Sequence, residues 1–386
     1  MKCGMMEMHL GKYGSNLDIF DGFYKGKRIL ITGHTGFKGS WLAIWLRELG
    51  ANVIGVSLDE SSLLDNYVLA DLSNKMTGVA ADIRNAERLK NIFQYYEPEI
   101  VFHLAAQPLV RQSYIAPVQT YETNLMGTIH VLEAIRETPS VKVGIMVTTD
   151  KCYENKEQLQ GYKEGDPMGG YDPYSSSKGA AEIAISSWRN SFFNPKEYTK
   201  HGKSIASVRA GNVIGGGDWA VDRIVPDCIR ALEGDRAIKI RNPRAIRPWQ
   251  HVLEPLGGYM HLGHKMWLEP TKYCEGWNFG PFMESVETVW GVATKLIRNY
   301  GKGKLIDAYD SNSLHESSLL SLDITKATQQ LGWYPRLGLD KTIELTVDWY
   351  KKYKDENVYA LCVKQIEYYC CNEECFVDGG KRVYRP

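Results

Sequence analysis

Along the first half of the chain, short runs of β-branched and aliphatic residues alternate with longer amphipathic segments. The short runs are residues 28–33 (RILITG), 53–58, 78–83, 100–104, 143–149 and 204–209. Apolar runs of this length predict strands buried on both faces. Between them, residues 41–49, 86–96, 117–137 and 174–193 carry apolar side chains at helical spacing. Strands alternating with helices predict βαβ crossovers and a parallel sheet. The rhythm breaks after Gly211, where glycine-, proline- and arginine-rich loops occupy residues 215–219 and 241–250. The pattern predicts a large α/β domain over residues 25–210, with a later contribution from about 248–275. A smaller α/β lobe is expected from residues 211–247 and 276–355, flanked by an N-terminal extension (1–24) and a cysteine-rich C-terminal tail (356–386).

A chain of 386 residues has room for two such units, since a domain averages roughly 150 residues. The formal net charge is zero, so no basic field draws the chain to nucleic acid or to an anionic membrane, and neither partner is expected. An anionic ligand must then be held by local arginines. No uninterrupted apolar run approaches the ~20 residues of a membrane-spanning helix. The first residues carry Lys2, Glu7, Lys12 and Asp18 without an apolar core, so no signal peptide is expected and a cytoplasmic location is. Cys3, Cys152, Cys228 and Cys274 are scattered singly, as suits reduced thiols. Cys362, Cys370, Cys371 and Cys375 lack paired C-x-x-C spacing and a nearby histidine, so a surface extension is expected there and no metal site.

Gly33-His34-Thr35-Gly36-Phe37-Lys38-Gly39 follows the first predicted strand and opens the first helix. Glycines let the backbone turn tightly and approach a pyrophosphate, whose charge a helix N-terminus favours. A turn needing positive φ for structural reasons alone would also use glycine. Its place in the first βαβ unit nevertheless marks a dinucleotide site. Asp59 closes the second strand, where a carboxylate accepts from a ribose 2′-hydroxyl and repels a 2′-phosphate, favouring NAD over NADP. Asp82 ends the third strand, placed either to accept from the adenine amine or to cap a helix.

Tyr174 and Lys178 (YSSSK) stand four residues apart and so share one helix face. A cation that close is expected to favour the phenolate and lower the tyrosine pKa, as a base taking an alcohol proton requires. Asp172 and Pro173 predict a capped helix start at Tyr174. At the end of the fifth strand stand a hydroxyl, a carboxyl and an amine in succession, Thr149, Asp150 and Lys151. Acid, base and hydrogen-bond donor thus occupy one neighbourhood. The bland alternatives are a chance pair on an exposed helix and a solvated strand-end lysine.

The glycine turn, His103-Leu104-Ala105-Ala106, Asn124 and Tyr174-x-x-x-Lys178 resemble the extended short-chain dehydrogenase/reductase family over roughly residues 25–350. Within it, residues 107–114 (QPLVRQSY), 148–157 (TTDKCYENKE), 211–227 (GNVIGGGDWAVDRIVPD) and 247–259 (RPWQHVLEPLGGY) resemble the branch that dehydrates CDP-glucose. The resemblance implies a Rossmann-type doubly wound sheet with a smaller C-terminal substrate-binding lobe, bound NAD, and a homodimer or homotetramer, with dimers formed through the helices starting at Pro117 and Tyr174, whose faces would equally suit a core. It implies that Ile83, Leu104, Ala105, Ala106, Asn124, Thr148 and Arg209 join the turn, Asp59, Asp82, Tyr174 and Lys178 around the cofactor.

The implied reaction is an internal oxidation and reduction. Tyr174 takes the proton of the sugar 4-hydroxyl as hydride leaves C4 for NAD+, Thr149 hydrogen-bonds that oxygen, and Lys178 holds the nicotinamide ribose. The 4-ketone acidifies C5, water leaves C6 with a proton from Asp150, and hydride returns to C6. Asp150 must then begin as a neutral acid, which burial favours. Lys151 stands where relatives acting on dTDP-glucose carry a glutamate base. It acts as base only when neutral, so burial and the neighbouring positive charges must lower its pKa; an ammonium that stabilises the enolate is the competing role.

A pyrophosphate calls for planar bidentate donors in the second lobe. Arg247 is the first choice, Arg223 the second and Asn212 an amide donor, with Trp249 or Trp219 against the base or sugar. A solvated basic loop is the alternative for Arg241, Arg244 and Arg247. Gln107, Arg111 and Tyr114 follow a strand C-terminus, where open α/β sheets bind ligands, and are assigned to the sugar pocket. A 4-epimerase or another nucleotide-sugar dehydratase is the next reading, and a non-catalytic dinucleotide sensor the third. Asp150 with Lys151 argues against the epimerase, and the intact Tyr174–Lys178 pair against the sensor.

Overall fold

The computed structural model describes residues 17–158, 160–282, 285–309 and 320–371, with the backbone of 377–378 and 381–382. Seven parallel strands form its central sheet: β1 (Arg28–Thr32), β2 (Asn52–Ser57), β3 (Thr77–Ala80), β4 (Ile100–His103), β5 (Val143–Val147), β6 (Ser204–Arg209) and β7 (Gly276–Asn278), in the order β7-β6-β5-β4-β1-β2-β3. The first six are the strands the pattern predicts. Successive side chains go to opposite faces: Ile29 and Ile31 enter the core under α1 (Phe37–Glu48), while Leu30 enters the one under α2 (Ala86–Tyr96) and α3 (Gly127–Glu137). The strand order reverses between β1 and β4, which is where a doubly wound sheet opens a crevice.

The predicted helix 117–137 is broken, with Glu122–Met126 forming a wider π turn before α3. α4 (Pro173–Ser191) begins one residue earlier than expected, because Asp172 accepts from the Ser175 backbone N–H at 2.9 Å and hydroxyl at 2.6 Å. Pro173 at the first helical position has no N–H to leave unsatisfied.

Three boundary expectations need correction. The strand at Trp277 joins the central sheet as its edge beside β6 and is not part of the second lobe. Residues 17–24 are no free extension: Leu17, Phe20 and Tyr24 are buried, and the Tyr24 hydroxyl donates to the Met260 carbonyl in α5 (Leu253–Leu268) at 2.5 Å. The described part of the cysteine-rich segment, residues 356–371, is likewise no surface extension. α6 (Leu339–Lys352) is followed by α7 (Val358–Cys371), which buries Cys362, Ile366, Tyr369 and Cys370 against the sheet domain, with Tyr369 edge-on to Trp45. Arg336 caps α7 by donating to the Tyr369 and Cys370 carbonyls at 3.0 and 2.9 Å. Cys3 and Cys375 lie outside the described residues. Among the described residues no group of three or more His, Cys, Asp or Glu is placed to hold a metal, and no helix is long and apolar enough to cross a membrane.

Candidate active site

The carboxyl ends of β1 to β6 open into one cavity of about 2180 Å³, walled on the far side by residues 211–247. A single ligand pocket spans roughly 300–1,000 Å³, so this space suits two ligands side by side. Gly33 has φ +78°, and a Cβ there would lie 2.8 Å from the Ala105 backbone nitrogen. At Gly39 a Cβ would meet the Gly33 carbonyl at 2.1 Å. Only glycine lets the first turn pack so closely on the end of β4 and expose the N-terminus of α1. Thr35, Gly36, Phe37 and Lys38 line the cavity beside it, with Asp59, Asp82, Ile83, Leu104, Ala105, Ala106 and Thr148 farther along the same rim. A backbone cradle facing a helix N-terminus, with an acid ending the second strand, fits a dinucleotide.

Tyr174, Lys178, Thr149, Asp150 and Lys151 all line this cavity. A short 3₁₀ turn, Asp150–Cys152, follows β5 and turns Asp150 inward, where it is buried and accepts from the Thr149 hydroxyl at 3.0 Å. Lys178 is buried and donates to the Val147 carbonyl at 3.4 Å. Burial brings its ammonium down to about 8, although Glu182 and Cys152 pull the other way. Lys38 also falls to about 8 through burial, with Arg223 and Lys178 pushing down and Asp150 and Asp218 pushing up.

The expected lowering of the tyrosine pKa is not found. Burial pushes the Tyr174 hydroxyl up to about 12, and what favours the phenolate is a hydrogen bond with Thr149 and the charge of Arg223. Lys178 directs its ammonium to a backbone carbonyl instead. Four residues on a helix bring two side chains to one face, but where their tips point is set by what each meets.

Five cofactor or substrate expectations are corrected by side-chain direction. The His34 ring is buried beneath the turn, where a Cβ on Gly55 would meet it at 2.2 Å, and does not line the cavity. Asn124 sits at the π turn and clamps the loop after β4, accepting from the Gln107 N–H at 2.8 Å and donating to its carbonyl at 3.1 Å and to Ser177 at 2.9 Å. Gln107 folds back on its own loop, bonded to Leu109 and Thr120, and Tyr114 faces Tyr171 and Asp172; both stand outside the cavity lining. Arg209 ends β6 but does not line the cavity; it is paired with Glu182 of α4 at 2.7 Å and bonded to the Tyr153 hydroxyl at 2.6 Å.

The remaining substrate candidates do meet in the cavity wall. Arg111, from the sheet side, and Arg241, from the lobe, converge on Asp222 at 3.8 and 2.6 Å. Arg223 pairs with Asp218 at 2.8 Å. Arg247 donates to the Ile246 carbonyl at 2.9 Å, and the buried Trp249 indole donates to the Glu287 carbonyl at 3.1 Å. The Asn212 amide reaches Asp150 at 3.5 Å. Trp219 is wedged edge-on against Tyr350 and Tyr353 while still reaching the wall. Arg230, Arg236 and Lys239 join this wall unforeseen, because lobe loops carry no period that would orient them.

Glu182 was also missed, although it lies one turn beyond Lys178 between Ala181 and Ala184, the mark of a carboxylate on a buried face. It accepts from the Thr148 hydroxyl at 2.5 Å, Ser207 at 2.7 Å and Arg209 at 2.7 Å. Burial alone would raise its pKa, but Arg209 and these bonds hold it below the usual carboxylate range. Arg209→Met therefore leaves a buried carboxylate without its partner, an expected cost of roughly 3–5 kcal/mol. A lowered folded-state pKa contributes stability that is present above the unfolded value and lost as pH falls. The cost of Arg209→Met should accordingly shrink on acidification as Glu182 takes a proton, which urea unfolding at neutral and acid pH checks.

A doubly wound sheet carrying a glycine turn, a Tyr-x-x-x-Lys helix and a strand-end hydroxyl defines a short-chain dehydrogenase/reductase with a built-on substrate lobe. More narrowly, the chain belongs to the GDP-mannose 4,6 dehydratase family, whose model matches residues 30–346. It is 49% identical over 345 residues to a CDP-glucose 4,6-dehydratase of Salmonella typhimurium, covering 89% of this chain and 96% of that protein. A dTDP-glucose 4,6-dehydratase of the same organism is 26% identical, over 84% of this chain and 92% of its own. Among solved structures, the dTDP-glucose 4,6-dehydratase of Bacillus anthracis in complex with NAD superposes with a TM-score of 0.71 at 20% identity, over 85% of this chain and 97% of that one.

Proposed function

We propose that this protein dehydrates CDP-glucose to CDP-4-keto-6-deoxyglucose. The observation that carries the reading is the convergence of Thr149, Asp150, Lys151, Tyr174 and Lys178 on one cavity wall beside the glycine turn. The 49% identity to a CDP-glucose 4,6-dehydratase over nearly its full length supports the choice of substrate. Bound NAD+ would accept hydride from C4 and return it to C6, and Gly33, Gly36, the α1 N-terminus, Asp59 and Lys178 would hold it. Tyr174 takes the proton of the 4-hydroxyl, whose oxygen Thr149 positions by hydrogen bonding. Asp150 delivers a proton to the departing 6-hydroxyl. Lys151 acts at C5, and its cavity-facing position serves either proton removal or stabilisation of the enolate. Arg111, Arg223 and Arg247 grip the pyrophosphate and sugar from both sides of the cleft.

The test is incubation with CDP-glucose and NAD+, followed by the alkali-induced absorbance of a 4-keto-6-deoxy product. Turnover of a different nucleotide sugar, with none of CDP-glucose, would sink the specificity; no turnover of either would sink the enzyme. Because Lys178 must carry its proton to hold the ribose, kcat/KM is expected to fall as pH rises through about 8. In Lys178→Met that fall should vanish from a lower, flat profile.

Two coarser properties follow the same reading. Ile115, Val118, Met126 and Ile183 are large apolar side chains left exposed on the helices at 110–137 and on α4, which supports a homodimer through that face. Cys152, Cys228, Cys274, Cys362 and Cys370 are free and buried, which supports a reducing, cytoplasmic setting.

A further inference from the structure

Asp150 is buried in the cavity wall, and part of what confines it lies outside the reacting set. The chain leaves β6 through Ala210 and Gly211 and turns at Asn212, which holds a left-handed φ of 49°. At Gly211 the backbone lies directly on the Asp150 side chain: a Cβ there would stand 1.7 Å from Oδ2, 2.1 Å from Cγ and 2.6 Å from Oδ1. Gly211 does not itself have positive φ. Nothing in its backbone conformation calls for glycine, so the demand comes from the space the carboxyl occupies. The corner is pinned from behind by Gln250, whose Nε2 donates to the Gly211 carbonyl at 3.1 Å and the Phe279 carbonyl at 3.1 Å, and whose N–H donates to the Asn212 carbonyl at 3.3 Å. Gln250 is almost wholly buried, so this clamp is shielded from water. In front, the carboxyl is held by the Thr149 hydroxyl at 3.0 Å and the Asn212 amide at 3.5 Å.

We propose that Gly211, held in place by Gln250, is a positioning residue that seats the Asp150 carboxyl where the departing 6-hydroxyl needs it. The proposal rests on the reading of Asp150 as the acid of the elimination. The three atoms nearest to a methyl group at Gly211 all belong to the Asp150 carboxyl, so what it meets first is the end of a side chain. The fold should therefore survive while the carboxyl moves by something like the missing space, and a misplacement of about 1 Å costs on the order of 100-fold in rate. Asp150 transfers no proton in the first half-reaction and enters it only by accepting from Thr149, so that step should change by no more than a few-fold.

The experiment is a cycle of Gly211→Ala, Asp150→Ala and the double variant. Each is followed by the rise of reduced-nicotinamide absorbance on mixing with CDP-glucose, by product formation, and by thermal unfolding. Gly211→Ala should oxidise C4 within a few-fold of the parent rate and form product about 100-fold more slowly, so that the reduced-cofactor signal persists. It should lower Tm in the parent background and leave it unchanged in the Asp150→Ala background, where the colliding atoms are gone. Product formation by Gly211→Ala at the parent rate, or an equal fall in Tm in both backgrounds, would overturn the proposal. Should Asp150→Ala itself eliminate water normally, the acid assignment falls on its own evidence, while the Tm cycle still reports whether Gly211 seats the carboxyl. If Gly211→Ala does not fold alone, a folded double variant supports the seat and an unfolded one refutes it.

Discussion

Tyr174→Phe is expected to lower the rate of C4 oxidation on the order of 10³-fold, the contribution of a positioned general base. The phenol is buried at the start of α4, hydrogen-bonds with Thr149 at the end of β5 and lines the cavity. The ring is retained in phenylalanine, so packing at the helix start is preserved and affinity for the nucleotide sugar should change only a few-fold. Rapid mixing with CDP-glucose reads the oxidation step directly, and equilibrium titration reads the binding. Because burial raises the phenol to about 12, the base depends on the neighbours that pull the other way. Arg223→Met should therefore slow the same step in the same direction, though less. Oxidation by Tyr174→Phe within a few-fold of the parent would exclude the phenol as base.

The second large effect is expected at Lys151. Its side chain faces the cavity beside Asp150, one residue beyond the acid on the same 3₁₀ turn. Lys151→Ala should reduce loss of the C5 proton by roughly 10²–10³-fold while leaving C4 oxidation nearly unchanged, as befits a group needed only after the ketone exists. The readout is exchange of the C5 hydrogen with deuterated solvent. An exchange rate equal to the parent would rule out a role for this amine at C5. Lys151→Arg separates the two roles, since a guanidinium keeps the charge and cannot give up its proton. Exchange rescued by arginine would mean that the amine acts by its charge.

Much of the scaffold was legible in the residues before any coordinates. β1 to β6 follow from apolar runs, and parallel pairing from the helices between them. The glycine turn, the strand-end Thr149-Asp150-Lys151 and the Tyr174–Lys178 pair could be placed because short-range geometry governs them: a tight turn needs glycine, and four residues make one helical turn. Asp172 and Pro173 even marked where α4 begins, to within one residue. These features depend on neighbours in the chain, which the sequence states outright.

What the tertiary structure alone decided is the direction and surroundings of each side chain. A strand end offers two faces, and nothing within Ser204–Arg209 says that its terminal arginine is spent on Glu182, since that pairing depends on a helix residue elsewhere in the chain. His34, Asn124 and Gln107 fell to the packing side of their turns for the same reason. The described parts of the terminal segments became core because α1 and α5 present apolar surface that Leu17, Phe20, Tyr24, Ile366 and Tyr369 help to cover. Burial also reversed the expected shift of Tyr174, because the cost of desolvating a phenolate depends on how much protein surrounds it.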